Sequence, residues 1–495
     1  MRLNLVRGKA VCLRCLWGSL DDCERIPWAA TLVFVVAPVC VLALSNGRTQ
    51  GSLDTRPVVP TALSLILRGS LELSPFLGAE GGRTRLDPGG KLPYCLTTRG
   101  KRVYSAYPLG MVVWALPFAA AARCTGSDLD DPNVWNRIEK RSAVLVESLC
   151  TALFFLVTLR IAQRRRRPYL ETENRSPASV KLTAFTATWL CALASGMFST
   201  TAQALWQHGG VILGTLFLLW IEFEQNDDPV SHRGVVLQGL TCGWMLACRL
   251  SAVTFLFPFF VWIALSSRTR AFRLVTATSA GYLPWAWIYW KTYGSPLGPS
   301  SGFLQRSWWS TDIWSPLAGL LISPGRGFFV YQPWALLTIG IVLTRVRVRA
   351  GGPRGWIAFC LAAASIHLGL IMCWRIWWGG YAWGSRLLVE LIPLCGLLCV
   401  PTIELLGSRR TGRVLIAALG IAGVAMQIPG VYFDAARWNI AVNVDVQSAS
   451  LWSWRNPPFL YPFNSTLARK QGTTPPIKQT SRRAHFEKSP DVLIR

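Results

Sequence analysis

Charged side chains are scarce in this chain: they make up 15% of 495 residues against 51% hydrophobic, with a mean hydropathy of +0.33. That balance excludes an ordinary soluble domain, where about a quarter of the residues are charged. Acidic residues are the rarer sign, 25 Asp and Glu against 51 Lys and Arg, for a net charge of +26. The excess forms no basic stripe and no nucleic-acid motif. It falls in short bursts between apolar runs, so it reports topology, and nucleic acid is not expected as a partner. The first 26 residues are too polar and too long an approach for a cleaved leader, so the first span is expected to stay attached. Cys12 and Cys15 form one CxxC with neither a second pair nor nearby His, too little for a zinc site. A clear internal repeat, common in transporters, is also missing.

What is abundant is long apolar sequence. About 20 apolar residues carry a helix across about 30 Å of hydrocarbon. Runs of that kind occur near 27–45, 140–160, 179–197, 209–223, 234–248, 250–266, 273–290, 327–344, 355–373, 386–403 and 413–429, which predicts about eleven crossings. Only the polar pair Arg249 and Ser251 separates 234–248 from 250–266. The 24 Trp cluster beside these runs, as rings with an apolar body and a polar edge do at a membrane interface. Of the 14 Cys, Cys40, Cys191, Cys242, Cys360, Cys395 and Cys399 lie within apolar runs and act as small hydrophobes, while Cys95 and Cys124 share the first large loop and leave a disulfide open.

Arg2, Arg7, Lys9, Arg14 and Arg25 precede the first run and place the N-terminus in the cytoplasm by the positive-inside rule. Residues 108–123 are apolar, short, and interrupted by Pro117. Reading them as an interfacial helix keeps Arg164 to Arg167 cytoplasmic, together with the bursts at 268–273, 345–354 and 409–413. The expected organisation is a cytoplasmic segment 1–26, a membrane domain 27–430 with its first outer loop at 46–139, an outer segment 431–465 and a polar, disordered tail 466–495. The opposite face then collects 46–139, 198–210, 293–327, 374–386 and everything after 430. These segments are rich in Gly, Pro, Trp and Ser, the chemistry of a site made of loops on a rigid scaffold.

Asp54 is the first acidic residue on that face, just beyond the first span and beside Arg56. A carboxylate near apolar surface can have its proton affinity tuned for base work; the alternative is a solvated loop aspartate. The stretch 58–68 that follows has apolar residues at helical spacing and fits a helix along the membrane surface. Arg56, Arg249, Arg326 and Arg386 lie near the membrane on the same side. Guanidinium forks match phosphate, and a buried cation there needs an anion unless it snorkels to water. His208, in ALWQHGG, is able to donate to a phosphate or sugar oxygen, with capping or packing as the alternative.

Taken together, LDTRPVVPTALSLILRGSLEL, VYSAYPLGMVVWALP, ALWQHGG, the YGSPL loop, LLISPGRGFFVYQPW and WWGGYAWGSRLLVELIPL make the chain resemble the bacterial branch of the GT-C superfamily, over most of 27–460. These are multi-spanning transferases that take sugar from a polyprenyl-phosphate donor, with protein O-mannosyltransferases and lipid A aminoarabinose transferases among their relatives. The resemblance implies an all-α integral membrane fold with membrane-parallel helices in the first outer loop. It implies Asp54 as the base that activates an acceptor hydroxyl, Arg326, Arg386, Arg56 and Arg249 as donor-phosphate ligands, and His208, Trp378 and Tyr381 as substrate contacts. It further implies inverting transfer to a lipid, glycan or protein acceptor on the non-cytoplasmic face of a bacterial plasma membrane, with membrane lipids as surroundings. No cofactor is then required, although a divalent ion is compatible. The departure is that no DE or DD pair stands at Asp54, which puts a metal-binding version of the site in doubt, and Glu72, Glu80 and Asp87 lie too far along the loop to be assigned. A flippase of lipid-linked oligosaccharide and a non-catalytic membrane protein are the competing readings.

Overall fold

A segment inside hydrocarbon has to satisfy its backbone hydrogen bonds within itself, so the apolar runs fold as helices. A computed structural model describes residues 31–77, 92–166, 177–224, 230–344 and 355–463. The N-terminal segment with its CxxC, Glu80, Asp87, the burst at 345–354 and the tail 466–495 lie outside the described residues. The helices are α1 (Leu32–Leu44), α2 (Val58–Arg68), α3 (Val112–Cys124), α4 (Pro132–Arg166), α5 (Pro177–Ala192), α6 (Gln207–Glu224) and α7 (His232–Cys248). They continue with α8 (Val253–Ser266), α9 (Arg268–Tyr293), α10 (Trp314–Ile322), α11 (Gly355–Met372), α12 (Ile392–Gly407), α13 (Arg410–Tyr432) and α14 (Ala435–Val442).

Among the described residues, four helices are long and apolar enough to cross a membrane: Pro132–Arg164, Gly355–Met372, Arg386–Gly407 and Arg410–Tyr432. The expected spans 140–160, 355–373, 386–403 and 413–429 coincide with them. The runs 209–223, 234–248 and 273–290 are helical too, within α6, α7 and α9, while one run and one junction differ in detail. The run 327–344 becomes a single helical turn, Phe328–Tyr331, and a tight 3-10 stretch, Pro333–Thr344. The doubtful junction at Arg249 is a true break, because Arg249 is extended (φ −166°, ψ 131°) between α7 and the 3-10 turn Leu250–Ala252 that leads into α8.

Helix α4 is the hub, packing against α1, α3, α5 and α6, while α12 packs against α5, α13 and the 3-10 stretch 333–344. Helices α7 and α9 lie closest of all, because Gly239 and Gly243 meet the backbone around Ala277 and Gly281, where a Cβ would collide. Small residues at such crossings let two backbones approach and gain dispersion contacts without a hydrophobic driving force.

The first loop also carries one short hairpin within the otherwise helical chain. Leu96–Arg99 (β1) and Arg102–Ser105 (β2) pair antiparallel with Leu96 opposite Ser105 and Arg99 opposite Arg102. Gly100, at φ +59°, takes the left-handed position of the two-residue turn. Helix α2 buries Val58, Val59, Ala62 and Leu63 and packs against α3, which buries Val112, Ala115 and Ala119. Cys124 is an exposed free thiol, so the open disulfide to the buried Cys95 does not form.

The five segments assigned to one face do come together. The backbone N–H of Gln50 donates to Gln203 O at 3.2 Å, joining 46–139 to 198–210. Ser310 N–H donates to Cys373 O at 2.8 Å and Arg375 N–H to Trp308 O at 2.9 Å, joining 293–327 to 374–386. Asn46 Nδ2 donates to Val431 O at 2.8 Å, which ties in the chain beyond 430.

Candidate functional site

Asp54 stands at the centre of this convergence, and its side chain is 14% exposed. A tight turn begins at Ser52, whose hydroxyl accepts from Asp54 N–H at 3.2 Å, and Gln207 Nε2 donates to the Asp54 carbonyl at 3.1 Å from the start of α6. The carboxylate is thereby fixed from two sides. Its Oδ2 accepts from Arg386 Nη1 at 2.7 Å, while Oδ1 accepts from the hydroxyls of Tyr107 at 2.8 Å and Tyr94 at 3.1 Å. Burial pushes the Asp54 carboxyl up, but the Arg386 charge and the hydrogen bonds from Tyr107, Arg386 and Tyr94 outweigh it, leaving the group below the ordinary aspartate value. Burial and then the Asp54 charge push both phenols up, so they remain donors.

Arg386 is aimed by the turn that precedes it. Gly379 (φ +72°) and Gly380 (φ +65°) both occupy the left-handed region, where a side chain would be strained. The turn they allow presents Gly379 O to Arg386 Nη2 at 2.7 Å, and the guanidinium lies 4.5 Å over the Trp206 ring. Its Nε is buried without a hydrogen-bond partner, as is Nε1 of Trp206. Both residues line a cavity of about 180 Å³ closed by residues 48–51, Ser199, Thr200, Tyr381, Ala382, Trp383 and Asp434. Unmet buried donors on a cavity wall favour an occupant rich in acceptor oxygens.

Arg326 does not join this group, and its geometry departs from the phosphate-ligand expectation. It is 1% exposed. Nε donates to Trp378 O at 2.7 Å, Nη1 to Gly325 O at 2.8 Å, and Nη2 to Gly380 O at 2.9 Å and Asn439 Oδ1 at 2.6 Å. Burial pulls its guanidinium down to about 10, which still leaves a cation at neutral pH. Every nitrogen is spent on protein, so Arg326 is a clamp that holds the glycine turn against α14.

His208 also departs from the substrate-contact expectation. It is 2% exposed, with Nδ1 2.8 Å from Glu390 Oε1, and Arg249 Nη1 lies 2.6 Å from Nδ1 and 2.8 Å from Nε2, so the ring is enclosed by protein partners. Trp378 donates from Nε1 to Asp445 Oδ1 at 2.9 Å and lies outside the cavity lining, whereas Tyr381 lines the cavity and reaches Asn443 Oδ1 at 3.4 Å. Arg56 is exposed. Tyr94, Tyr107, Trp206 and Glu390 belong to the arrangement without any sequence signal that singled them out. Among the described residues no three His, Cys, Asp or Glu side chains form a metal-ligand set.

Comparison with solved structures gives one informative match: the Archaeoglobus fulgidus oligosaccharyltransferase, crystallised with a disulfide-tethered acceptor peptide containing the NVT sequon. The TM-score is 0.51 at 11% identity, over 89% of this chain and 61% of that one. The shared feature is the mostly helical membrane architecture. At that identity the likeness is one of fold, and this chain spans 61% of the length of its structural relative. No family profile and no curated protein matches the sequence.

Proposed function

We propose that this GT-C-type membrane protein is a glycosyltransferase that moves a sugar from a polyprenyl-phosphate donor to a hydroxyl of a lipid, glycan or protein acceptor. The observation that carries the reading is the contact between Asp54 and Arg386 at 2.7 Å, across 332 residues of sequence, beside a cavity with unmet donors. The positive-inside rule applied to the arginine bursts supports a non-cytoplasmic setting for this end of the bundle, and the family resemblance supports a bacterial plasma membrane.

In the resting state Arg386 and two phenols keep Asp54 ionised, so it is free of a proton but a weak base. When Arg386 turns to the donor phosphate, Asp54 loses its nearest counter-charge and its proton affinity rises. The acceptor O–H then gives its proton to Asp54 as its oxygen bonds to the anomeric carbon. The bond from that carbon to the phosphate oxygen breaks, its electron pair leaves with the polyprenyl phosphate, and the anomeric configuration inverts. Guanidinium charge from Arg386 and Arg249 stabilises the leaving phosphate. No cofactor is invoked in these steps.

The test is transfer by the full-length protein in liposomes, followed by mass spectrometry of lipid-linked sugars and acceptors. Asp54→Asn is expected to lower transfer by about 10²–10⁴-fold, the size of one general base, while expression and insertion persist; wild-type transfer by that variant would remove Asp54 as the base. Movement of the intact lipid-linked sugar between leaflets, without cleavage, would favour the flippase instead.

A further inference from the structure

Glu390 lies four residues beyond Arg386, with its side chain fully buried in an otherwise apolar run. A carboxylate at such a position is costly unless other groups compensate it, and several converge here from separate elements. His208 from α6 sits 2.8 Å from Oε1, and Arg249 Nη1, from the break between α7 and α8, is 3.4 Å from the same oxygen. His367 from α11 lies 3.5 Å from Oε2, with its own nitrogens occupied by Leu387 O at 3.1 Å and Thr254 Oγ1 at 3.0 Å.

Arg249 Nη1 lies 2.6 Å from His208 Nδ1 and 2.8 Å from Nε2, and 3.4 Å from Glu390 Oε1, so the guanidinium, the imidazole and the carboxylate meet at one point. A carboxylate only accepts, so Glu390 Oε1 is the acceptor of this cluster and the Arg249 cation its counter-charge. The far end of Arg249 is different: its side chain is 23% exposed, and Nε and Nη2 have no hydrogen-bond partner among the described residues. The extended backbone at Arg249 delivers this side chain to the end of the bundle where Asp54 and Arg386 lie, within electrostatic reach of both.

We propose that Glu390 is a positioning residue: with His208 packed against both groups, its carboxylate holds Arg249 by Nη1 so that the other guanidinium nitrogens face the donor phosphate. The inference rests on the glycosyltransferase reading. It adds a buried carboxylate that acts through another residue and never touches substrate, comparable to the carboxylates that orient ligating histidines in other proteins.

The experiment measures binding rather than turnover, with full-length protein in nanodiscs and two probes: a sugar-free polyprenyl phosphate, and the polyprenol of the same chain length. The ratio of their affinities isolates the phosphate contribution. Glu390→Gln and Arg249→Met are each expected to lower that ratio by about tenfold or more, the size of one charged hydrogen bond. The double variant, which removes both charges and so relieves any unpaired one, is expected to lower it no further than Arg249→Met alone. If Glu390→Gln does not fold, the comparison runs on His208→Leu with Arg249→Met, and the same non-additivity is expected. A ratio unchanged in Glu390→Gln, or losses that multiply in the double variant, overturns the proposal. A wild-type protein that does not distinguish the two probes overturns the phosphate-donor reading itself, which separates the two failures.

Discussion

The turn at 323–327 and the glycine turn at 379–386 each bring one arginine to the same end of the bundle, and they spend it differently. Arg326 gives its nitrogens to Trp378 O, Gly325 O, Gly380 O and Asn439 and sits 5.9 Å over the Trp438 ring. Arg386 gives one nitrogen to Gly379 O and one to Asp54, keeps Nε unmet, and borders a cavity. A guanidinium saturated by backbone carbonyls is fixed, because moving it would strand several buried acceptors. One paired with a single carboxylate has an exchangeable partner, and an incoming phosphate competes for it. The first arginine builds the wall that supports the second.

The contrast is sharpest in activity. Arg386→Met is expected to lower kcat/KM for transfer by roughly 10- to 150-fold, the size of a charge-assisted hydrogen bond of about 1.5–3 kcal/mol, read from initial rates in liposomes. Arg326→Met should instead act on stability, since each stranded buried acceptor costs about 1–3 kcal/mol. A lowered unfolding midpoint in detergent, with near wild-type turnover per folded molecule, is the expected pattern. Equal turnover losses in the two variants would erase the distinction.

The pH dependence provides a smaller handle. The folded-state value of Asp54 lies below that of the unfolded chain, so its pairing contributes stability that is fully present above the ordinary aspartate range and is lost as pH falls through the lower folded value. Removing Arg386 removes the main force that lowers it, so the acid limb of kcat/KM in Arg386→Met should move to higher pH. Tyr107→Phe removes one neutral donor at 2.8 Å and should shift that limb the same way by less than about one pH unit. An acid limb that stays fixed in both variants would mean that Asp54 is not the group being titrated.

Much of this was legible in the sequence, for reasons that differ by residue. Hydropathy marked the helices, and the polar pair Arg249 and Ser251 marked a break that the extended Arg249 backbone makes real. Asp54 and Arg386 were both named, because a carboxylate or guanidinium next to an apolar run is conspicuous. Arg326 was conspicuous in the same way, but three of its four acceptors are backbone carbonyls, two of them more than 50 residues ahead, which no side-chain pattern records. His208 carried a signal without a partner, since Glu390 is one acid in an apolar run. Tyr94 and Tyr107 left no trace, as their role comes from where the first loop folds back over Asp54. The hairpin at 96–105 was too short for its alternation to stand out.

The central claim is that Asp54 and Arg386 act as a unit in one transfer step, Asp54 on the acceptor hydroxyl only once Arg386 has left it for the donor phosphate. A double-mutant cycle on kcat/KM, with Asp54→Asn, Arg386→Met and both together in liposomes, tests it most directly. The account predicts that the double variant transfers sugar no more slowly than Asp54→Asn alone. Losses that multiply would show two independent sites and contradict it.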